Sequence, residues 1–147
     1  MCIRDRFGYR CTLLTDTEVI TYIIDYLVRQ QGLTMEEASN VMAAPFWTTI
    51  AQQSPQRRER LTFLRQAFSS LLLTGPFSIL VGFDGGLMAL NDRLKLRSMV
   101  VGEADSRVYI SSEESAIRAV QPELDRVWAP KGGEAAIFTV KEGALCR

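Results

Sequence analysis

The amino-acid sequence predicts an α+β fold with an antiparallel sheet. Apolar residues recur at helical spacing in the first half of the chain, whereas the second half contains short apolar runs typical of strands. Turn signals such as Asp84-Gly85-Gly86 separate consecutive runs, and strands joined by so short a turn are antiparallel. Helices that precede the strands, rather than alternating with them, indicate separate helical and sheet layers.

The prediction begins with a short strand that leads into an amphipathic helix. The segment Tyr9–Leu14 is assigned to the strand, and the helix covers Thr15–Arg29. Thr15 and Glu18 have the spacing of a capping box, in which each side chain bonds the backbone N–H of the other residue. Gly32 ends the helix. One apolar stripe follows its length, at Val19, Ile20, Ile23, Ile24, Leu27 and Val28.

Two further helices are predicted before the strands begin. A second capping box, Thr34–Glu37, opens a helix that extends to about Ala44. Pro45-Phe46-Trp47 ends it, because proline removes a backbone donor and restrains the residue before it. Pro55 begins the third helix in a favoured position, and Gly75-Pro76 closes it. The inward side chains of this third helix are predicted to be Leu61, Leu64, Ala67, Phe68, Leu71 and Leu72.

The second half is predicted to contain strands and one short helix. Phe77–Phe83 is a nearly continuous apolar run, as expected of a strand that is covered on both faces. Glu103-Ala104-Asp105-Ser106 joins the two strands of a second hairpin, and Glu113–Val120 is the short helix. The other strands are predicted at Leu87–Asn91, Ser98–Gly102, Arg107–Ser112, Val127-Trp128 and Ala135–Val140.

Length and charge restrict the class of protein. A chain of 147 residues is long enough for one domain with a substantial core. Its 17 basic and 17 acidic residues give a net charge of zero, which argues against nucleic-acid binding because that requires surplus cations. The most apolar region, Phe68–Phe83, is too short to span a membrane. The charged start, Met1–Arg6, does not resemble a signal peptide, so we expect a cytoplasmic protein.

Histidine and cysteine usage excludes several kinds of site. The chain contains no histidine, so neither a Ser-His-Asp nor a Cys-His catalytic group can form within it. Cys2, Cys11 and Cys146 have no metal-ligand spacing and form no even-numbered disulfide framework. We therefore expect no metal and no cofactor in this chain, and we interpret Cys11 as a core residue of the first strand.

Five short motifs occur along the chain in a defined order. The first, Thr15-Asp16-Thr17-Glu18, places a carboxylate at the start of a helix, and the second is Gly75-Pro76-Phe77-Ser78. The others are Asn91–Arg97, Ser111–Ala116 and Asp125–Pro130. Together these motifs resemble the class II glutamine amidotransferases. They are most similar to the stand-alone subunits related to the glutaminase part of glutamate synthase.

The resemblance implies a fold, a reaction and a binding residue. The fold would be the four-layer αββα arrangement of the N-terminal-nucleophile hydrolases, with antiparallel sheets, and residues 8–147 would be its C-terminal portion. Asp16 would hold the α-amino group of glutamine through a charge-assisted hydrogen bond. An N-terminal cysteine would attack the side-chain amide, releasing glutamate and ammonia. The ammonia would pass to a partner synthase subunit, such as a flavin and iron–sulfur protein that aminates 2-oxoglutarate.

The chain departs from the family at the residues that perform the attack. It contains no Asn-Gly pair for an oxyanion hole and no His-x-Arg segment, and both precede the Thr-Asp-Thr-Glu motif in the family. Removal of Met1 would expose Cys2, but Ile3–Arg6 has neither the following glycine nor the apolar strand expected after a nucleophile. We therefore expect residues 1–7 to be a non-native or disordered start. We also expect the chain by itself to be an inactive fragment.

Other interpretations of the same residues stay open from the sequence. Asp16 could instead satisfy backbone donors at the helix start. The cations at positions 93, 95 and 97 could converge on an anion or form a solvated face, and Glu113 and Glu114 fit helix-start acids. Trp47 and Trp128 are interpreted as core or interface aromatics.

Two alternative functions also stay open. One is a fragment of a phosphoribosylamine-forming amidotransferase. The other is a non-catalytic interaction module that has kept the amidotransferase fold. All three functions share the predicted fold, so the sequence of this chain does not separate them.

Overall fold

The computed structural model describes residues 8–13 and 15–140. They divide into two compact units, one extending to Ala38 and the other beginning at Ser39. The boundary falls inside the second α-helix. The expected non-native start, residues 1–7 with Cys2, lies outside the described residues, and so does Cys146.

The first unit is built on helix α1, Asp16–Asp25, which continues as a π-helical segment, Tyr26–Gln30. The predicted helix Thr15–Arg29 is therefore confirmed, with small shifts at its ends. Gly32 has a φ of +68°, in the left-handed region that glycine adopts without strain, and it ends the helix as predicted. The apolar stripe is most deeply buried at Ile23, Ile24 and Leu27.

The predicted strand Tyr9–Leu14 is wrong for its described residues. Residues 9–13 have no regular secondary structure, and the last residue of the range lies outside the described part of the chain. The reason is local, because the N–H groups of Thr12 and Leu13 donate to the Glu18 carboxylate rather than to a neighbouring strand. Cys11, interpreted as a core residue of that strand, is half-buried.

Helix α2, Met35–Ala43, lies where the second capping box predicts it. Both bonds of the box are present. The N–H of Glu37 donates to Thr34 Oγ1 at 3.1 Å, and the N–H of Thr34 donates to Glu37 Oε2 at 3.0 Å. Ala44 follows with a φ of +44°, so the chain leaves the helix within one residue, before Pro45.

Two more helices complete the helical half. The sequence does not indicate α3, Trp47–Ala51, because a five-residue helix is too short to show a periodic stripe. Helix α4, Pro55–Ala67, begins at the predicted proline and is followed by a 3₁₀ turn, Ser69–Leu71. Of the predicted inward residues, Leu61, Leu64 and Leu71 are buried, Phe68 and Leu72 are half-buried, and Ala67 is exposed.

Six strands form two antiparallel three-stranded sheets within residues 39–140. The first sheet has the order β1 (Ser78–Phe83), β2 (Gly86–Asn91), β6 (Ala136–Thr139). The second has the order β4 (Arg107–Ser111), β3 (Val100–Ala104), β5 (Arg126–Trp128). Helix α5, Glu114–Val120, follows β4. Every strand predicted in this half, and its short helix, is confirmed with small shifts at the ends.

Both hairpin turns contain residues with positive φ. Gly85, between β1 and β2, has a φ of +73°. Asp105 and Ser106, between β3 and β4, have φ values of +50° and +61°. In this second turn both central residues have positive φ, which matches the twist of the flanking strands.

The prediction that β1 is covered on both faces is wrong. Exposed and half-buried residues alternate along the strand, and Leu80 retains 57% of its exposure. β1 lies at the edge of its sheet, whereas the central strand β2 carries the fully buried Met88, Ala89 and Leu90. The apolar run Ser78–Phe83 therefore forms an edge strand with one exposed face.

The helices and the two antiparallel sheets confirm the α+β class. The four-layer αββα arrangement stays a prediction.

Candidate functional site

Asp16 is the first residue of α1, and its side chain is exposed. Among the described residues, no hydrogen-bond donor contacts its carboxylate. The preceding Thr15 has extended backbone angles, and its Oγ1 accepts a hydrogen bond from the N–H of Glu18 at 3.3 Å. The capping function at this helix start is therefore performed by Thr15.

Glu18, the second acid of the Thr-Asp-Thr-Glu segment, has a structural role. Its side chain is 9% exposed, and its carboxylate turns back toward the preceding segment. The N–H of Thr12 donates to Oε1 at 2.8 Å and to Oε2 at 3.0 Å, and the N–H of Leu13 donates to Oε2 at 2.8 Å. These bonds hold the pKa of Glu18 below its ordinary value, and the hydrogen bond from the Thr12 N–H has the largest effect.

The hydrogen bonds of Thr15 and Glu18 help to decide whether Asp16 satisfies backbone donors or is open to a ligand. Thr15 accepts a backbone donor at the helix start, the role that the alternative interpretation gave to Asp16, whereas Glu18 accepts N–H groups of the preceding segment. The Asp16 carboxylate is thereby left at the positive end of a helix with its acceptor oxygens open to solvent. The binding role of Asp16 therefore stays a prediction.

A second set of contacts fixes the segment before α1 in place. Tyr9 stacks on Tyr22, with ring centroids 4.7 Å apart, and its hydroxyl donates to Asp25 Oδ2 at 2.5 Å. Burial raises the pKa of the Tyr9 phenol, and the hydrogen bond from Tyr9 lowers the pKa of Asp25. The geometry before Asp16 is thus held by side chains and not by a sheet.

Comparison with known proteins places the chain beside longer relatives. No protein-family model matches it, and no solved structure matches it significantly. An uncharacterized protein of Archaeoglobus fulgidus is 45% identical over 137 residues, which are 93% of this chain and 36% of the relative. An amidophosphoribosyltransferase of Methanocaldococcus jannaschii is 32% identical over 73 residues, which are 50% of this chain and 15% of that enzyme. The chain thus spans about a third or less of the curated relatives it matches.

These comparisons support the coarser part of the sequence resemblance. Half of the chain is similar to part of an amidotransferase, as the motifs indicate. The relative that aligns with nearly all of the chain carries no described activity. The finer prediction, a glutaminase subunit related to glutamate synthase, therefore stays a proposal.

The Asn91–Arg97 motif forms a turn around a buried carboxylate. Asp92 is 3% exposed, and its oxygens accept from the N–H groups of Leu94 at 3.0 Å, Leu96 at 3.1 Å and Arg97 at 3.2 Å. Burial alone would raise the pKa of Asp92, but these backbone bonds outweigh burial and lower it. The aspartate of this motif therefore shapes the backbone and is not free to bind a ligand.

The cations of this motif do not converge. Lys95 and Arg97 are exposed, which fits the interpretation as a solvated face. Arg93 instead reaches across to the turn after α2, where its guanidinium donates to the Ala44 carbonyl at 3.3 Å and lies 5.2 Å from the Phe46 ring centroid.

The structure also shows the surroundings of Glu114 and of the two tryptophans. Glu114 lies in the first turn of α5 and forms an ion pair with Arg118 at 2.6 Å, as expected of a helix-start acid. Trp128 is half-buried in β5, whereas Trp47 is 50% exposed. The interpretation of Trp47 as a core residue is therefore wrong, and that of an interface aromatic stays open.

Within residues 8–13 and 15–140, no group of three or more acidic or cysteine side chains is arranged to hold a metal ion. None of the helices in the described part of the chain is long and apolar enough to pass through a membrane.

Sequence analysis missed Arg65, which lies on α4 beside a cavity of about 360 Å³. Its guanidinium donates to the Pro45 carbonyl and lies 4.3 Å from the Trp47 ring centroid. No sequence signal distinguishes Arg65, because α4 also carries Arg57, Arg58 and Arg60.

Proposed function

We propose that residues 8–147 are the C-terminal portion of a class II glutamine amidotransferase domain, in which Asp16 binds the α-ammonium group of glutamine. The observation that carries this proposal is the Asp16 carboxylate at the start of α1, which has no hydrogen-bond partner among the described residues, beside a Glu18 that accepts the N–H groups of Thr12 and Leu13. The order of the five sequence motifs and the partial similarity to an amidophosphoribosyltransferase support it.

The proposed reaction divides between this chain and a segment outside it. Hydrolysis of the glutamine side-chain amide requires a nucleophile and hydrogen-bond donors for the developing oxyanion. The chain contains no Asn-Gly pair for the second role. In the proposal this chain contributes substrate binding through Asp16, and an upstream segment contributes the attack. The 147 residues alone are then inactive as a glutaminase.

Two acceptors for the released ammonia are supported by different observations. The motif Asp125–Pro130, which contains β5, favours a partner synthase of the glutamate-synthase type. The similarity to an amidophosphoribosyltransferase favours a phosphoribosylamine-forming enzyme. In either case the partner receives ammonia, and this chain performs no redox step.

The role of Asp16 is tested in a polypeptide that joins this chain to the coding sequence preceding it in its gene. Asp16→Asn keeps the size of the side chain and removes its charge. We expect kcat/KM for glutamate release from glutamine to fall at least about tenfold, which corresponds to about 1.4 kcal/mol of lost ammonium binding. Asp105→Asn is the matched control, because it removes an equal charge from an exposed hairpin turn.

The outcomes separate the candidate functions. Unchanged glutamine kinetics in Asp16→Asn would refute its role. A joined polypeptide that folds but releases no glutamate would favour the non-catalytic interaction module. If glutamate is released, glutamine-dependent amination of 2-oxoglutarate and of a phosphoribosyl donor, each assayed with its synthase component, distinguishes the two acceptors.

A further inference from the structure

A cavity in the second unit has the size of a small-molecule site. It occupies about 360 Å³ and is bounded by α2, α3, α4 and the 3₁₀ turn. Its walls are mainly apolar and include Val41, Trp47, Phe68 and Leu72. Ligand pockets typically combine such apolar walls with a few charged or polar groups that orient the ligand.

Arg65 is the charged group in the wall of this cavity. Its guanidinium lies over the Trp47 ring and donates to the Pro45 carbonyl. A guanidinium carries five N–H donors, so most of them stay available to a ligand. Burial lowers the pKa of Arg65, and the charge of Arg93 lowers it further. Burial removes water from the Arg65 guanidinium, and Arg93 repels it, so its positive charge is not balanced by its surroundings.

Arg93 places a second cation beside the first. Its guanidinium donates to the carbonyl of Ala44, the residue before Pro45, and lies near the Phe46 ring. Within residues 8–13 and 15–140, no carboxylate forms an ion pair with Arg65 or Arg93. Two like charges beside one turn repel each other, and an anion between or beside them would remove that cost.

We propose that this cavity binds a small organic anion, whose carboxylate or phosphate pairs with Arg65 and whose apolar body lies against Trp47 and Leu72. Arginine suits this role because its planar donor fork can bind two oxygens of either anion at once. Apolar walls lower the effective dielectric constant beside the charge, so the pairing should be stronger there than in bulk water. The proposal does not depend on the glutaminase function, because none of these residues belongs to the Asp16 site.

The test is an NMR titration of the 147-residue chain with three probes. Phenylbutyrate and phenyl phosphate carry the two candidate anions, and phenylbutanol is the neutral analogue. Trp47 and Trp128 are the chain's two tryptophans, and only Trp47 lines the cavity, so the indole N–H signal of Trp128 serves as an internal reference. We expect a saturable shift of the Trp47 signal with at least one anion, at least about tenfold weaker binding of the alcohol, and no saturable shift of the Trp128 signal.

Variants assign the binding to Arg65. Arg65→Gln should weaken anion binding at least about tenfold. Arg58→Gln, which removes an exposed charge from the same helix, should leave it unchanged. If Arg65→Gln fails to fold because the Pro45 carbonyl loses its donor, Ser69→Phe serves instead. Ser69 lines the cavity but is exposed, so the added ring should block binding without disturbing the fold.

Several results would overturn the proposal. Equal affinity for phenylbutanol would show that the cavity does not select a charge. Wild-type affinity in either Arg65→Gln or Ser69→Phe would place the anion elsewhere. Equal shifts of the two indole signals, or no shift of the Trp47 signal with either anion, would also contradict it.

A preference between carboxylate and phosphate would identify the ligand's charged group.

Discussion

The carboxylate of Glu18 accepts the backbone N–H of Thr12 with both of its oxygens, at 2.8 and 3.0 Å. A side chain on the first turn of α1 thereby holds a segment six residues earlier in the sequence. The same carboxylate also accepts the Thr12 hydroxyl at 3.1 Å and the Leu13 N–H at 2.8 Å. Because these bonds favour the ionised form, they link the stability of the first unit to pH.

Replacement of Glu18 by glutamine should weaken this link. The folded chain holds the pKa of Glu18 below its ordinary value of 4.5. The unfolded chain therefore takes up the proton first on acidification, and the stabilisation, complete above about pH 4.5, is lost as the pH falls through the lower folded pKa. We expect Glu18→Gln to have a lower thermal midpoint near neutral pH. Its midpoint should also fall less than that of the parent chain on acidification.

Circular dichroism melts between about pH 3 and pH 7 measure both effects. The control is Glu123→Gln, which neutralises an exposed glutamate. A parallel pH dependence in Glu18→Gln and the parent chain would contradict the role of the carboxylate.

Replacement of Asp92 by asparagine should destabilise the second unit. The two oxygens of Asp92 serve backbone N–H groups of the turn that follows β2, and the amide of asparagine can accept with only one of them. Hydrogen bonds to a charged group such as this carboxylate contribute about 1.5–3 kcal/mol. Urea unfolding would measure this loss, and Asp105→Asn should change the free energy of unfolding by less than about 0.5 kcal/mol. An equal loss of unfolding free energy in the two variants would contradict the structural role of the Asp92 carboxylate.

Gly132 lies where no side chain fits. A Cβ at this position would lie 2.5 Å from the carbonyl oxygen of Arg93, and a backbone atom cannot move aside as a flexible side chain can. We therefore expect Gly132→Ala to cost about 1–3 kcal/mol through forced backbone shifts. Gly82→Ala is the matched control, because a Cβ there meets nothing within 4 Å. Urea unfolding compares the two, and an unaffected Gly132→Ala protein would show that the turn can relax.

Leu80 should influence the association of the chain more than its stability. It is 57% exposed on β1, one of the two edge strands of the first sheet, and an open apolar edge favours pairing with another chain. We expect Leu80→Lys to increase the monomer fraction in size-exclusion chromatography with light scattering. Val120→Lys makes the same change at an exposed site on α5 and should not have this effect. An identical response to both substitutions would indicate a general effect of charge.

The sequence by itself determined most of the local structure. The capping box of Thr34 and Glu37, the proline at the start of α4 and the turn at Gly85 each correspond to an observed boundary. These features were predictable because each depends on residues only a few positions apart. The α+β class followed from the same local patterns, since helices and hairpins were recognised separately.

Only the tertiary structure decided which residues are covered and what each charge contacts. The apolar run over β1 indicated a strand covered on both faces, but its position at a sheet edge leaves Leu80 exposed. Arg65 is indistinguishable from its neighbours in sequence, and it acquires its environment from Pro45 and Trp47, about 20 residues away. Burial and charge pairing depend on segments distant in the chain, and no local spacing encodes which segments meet.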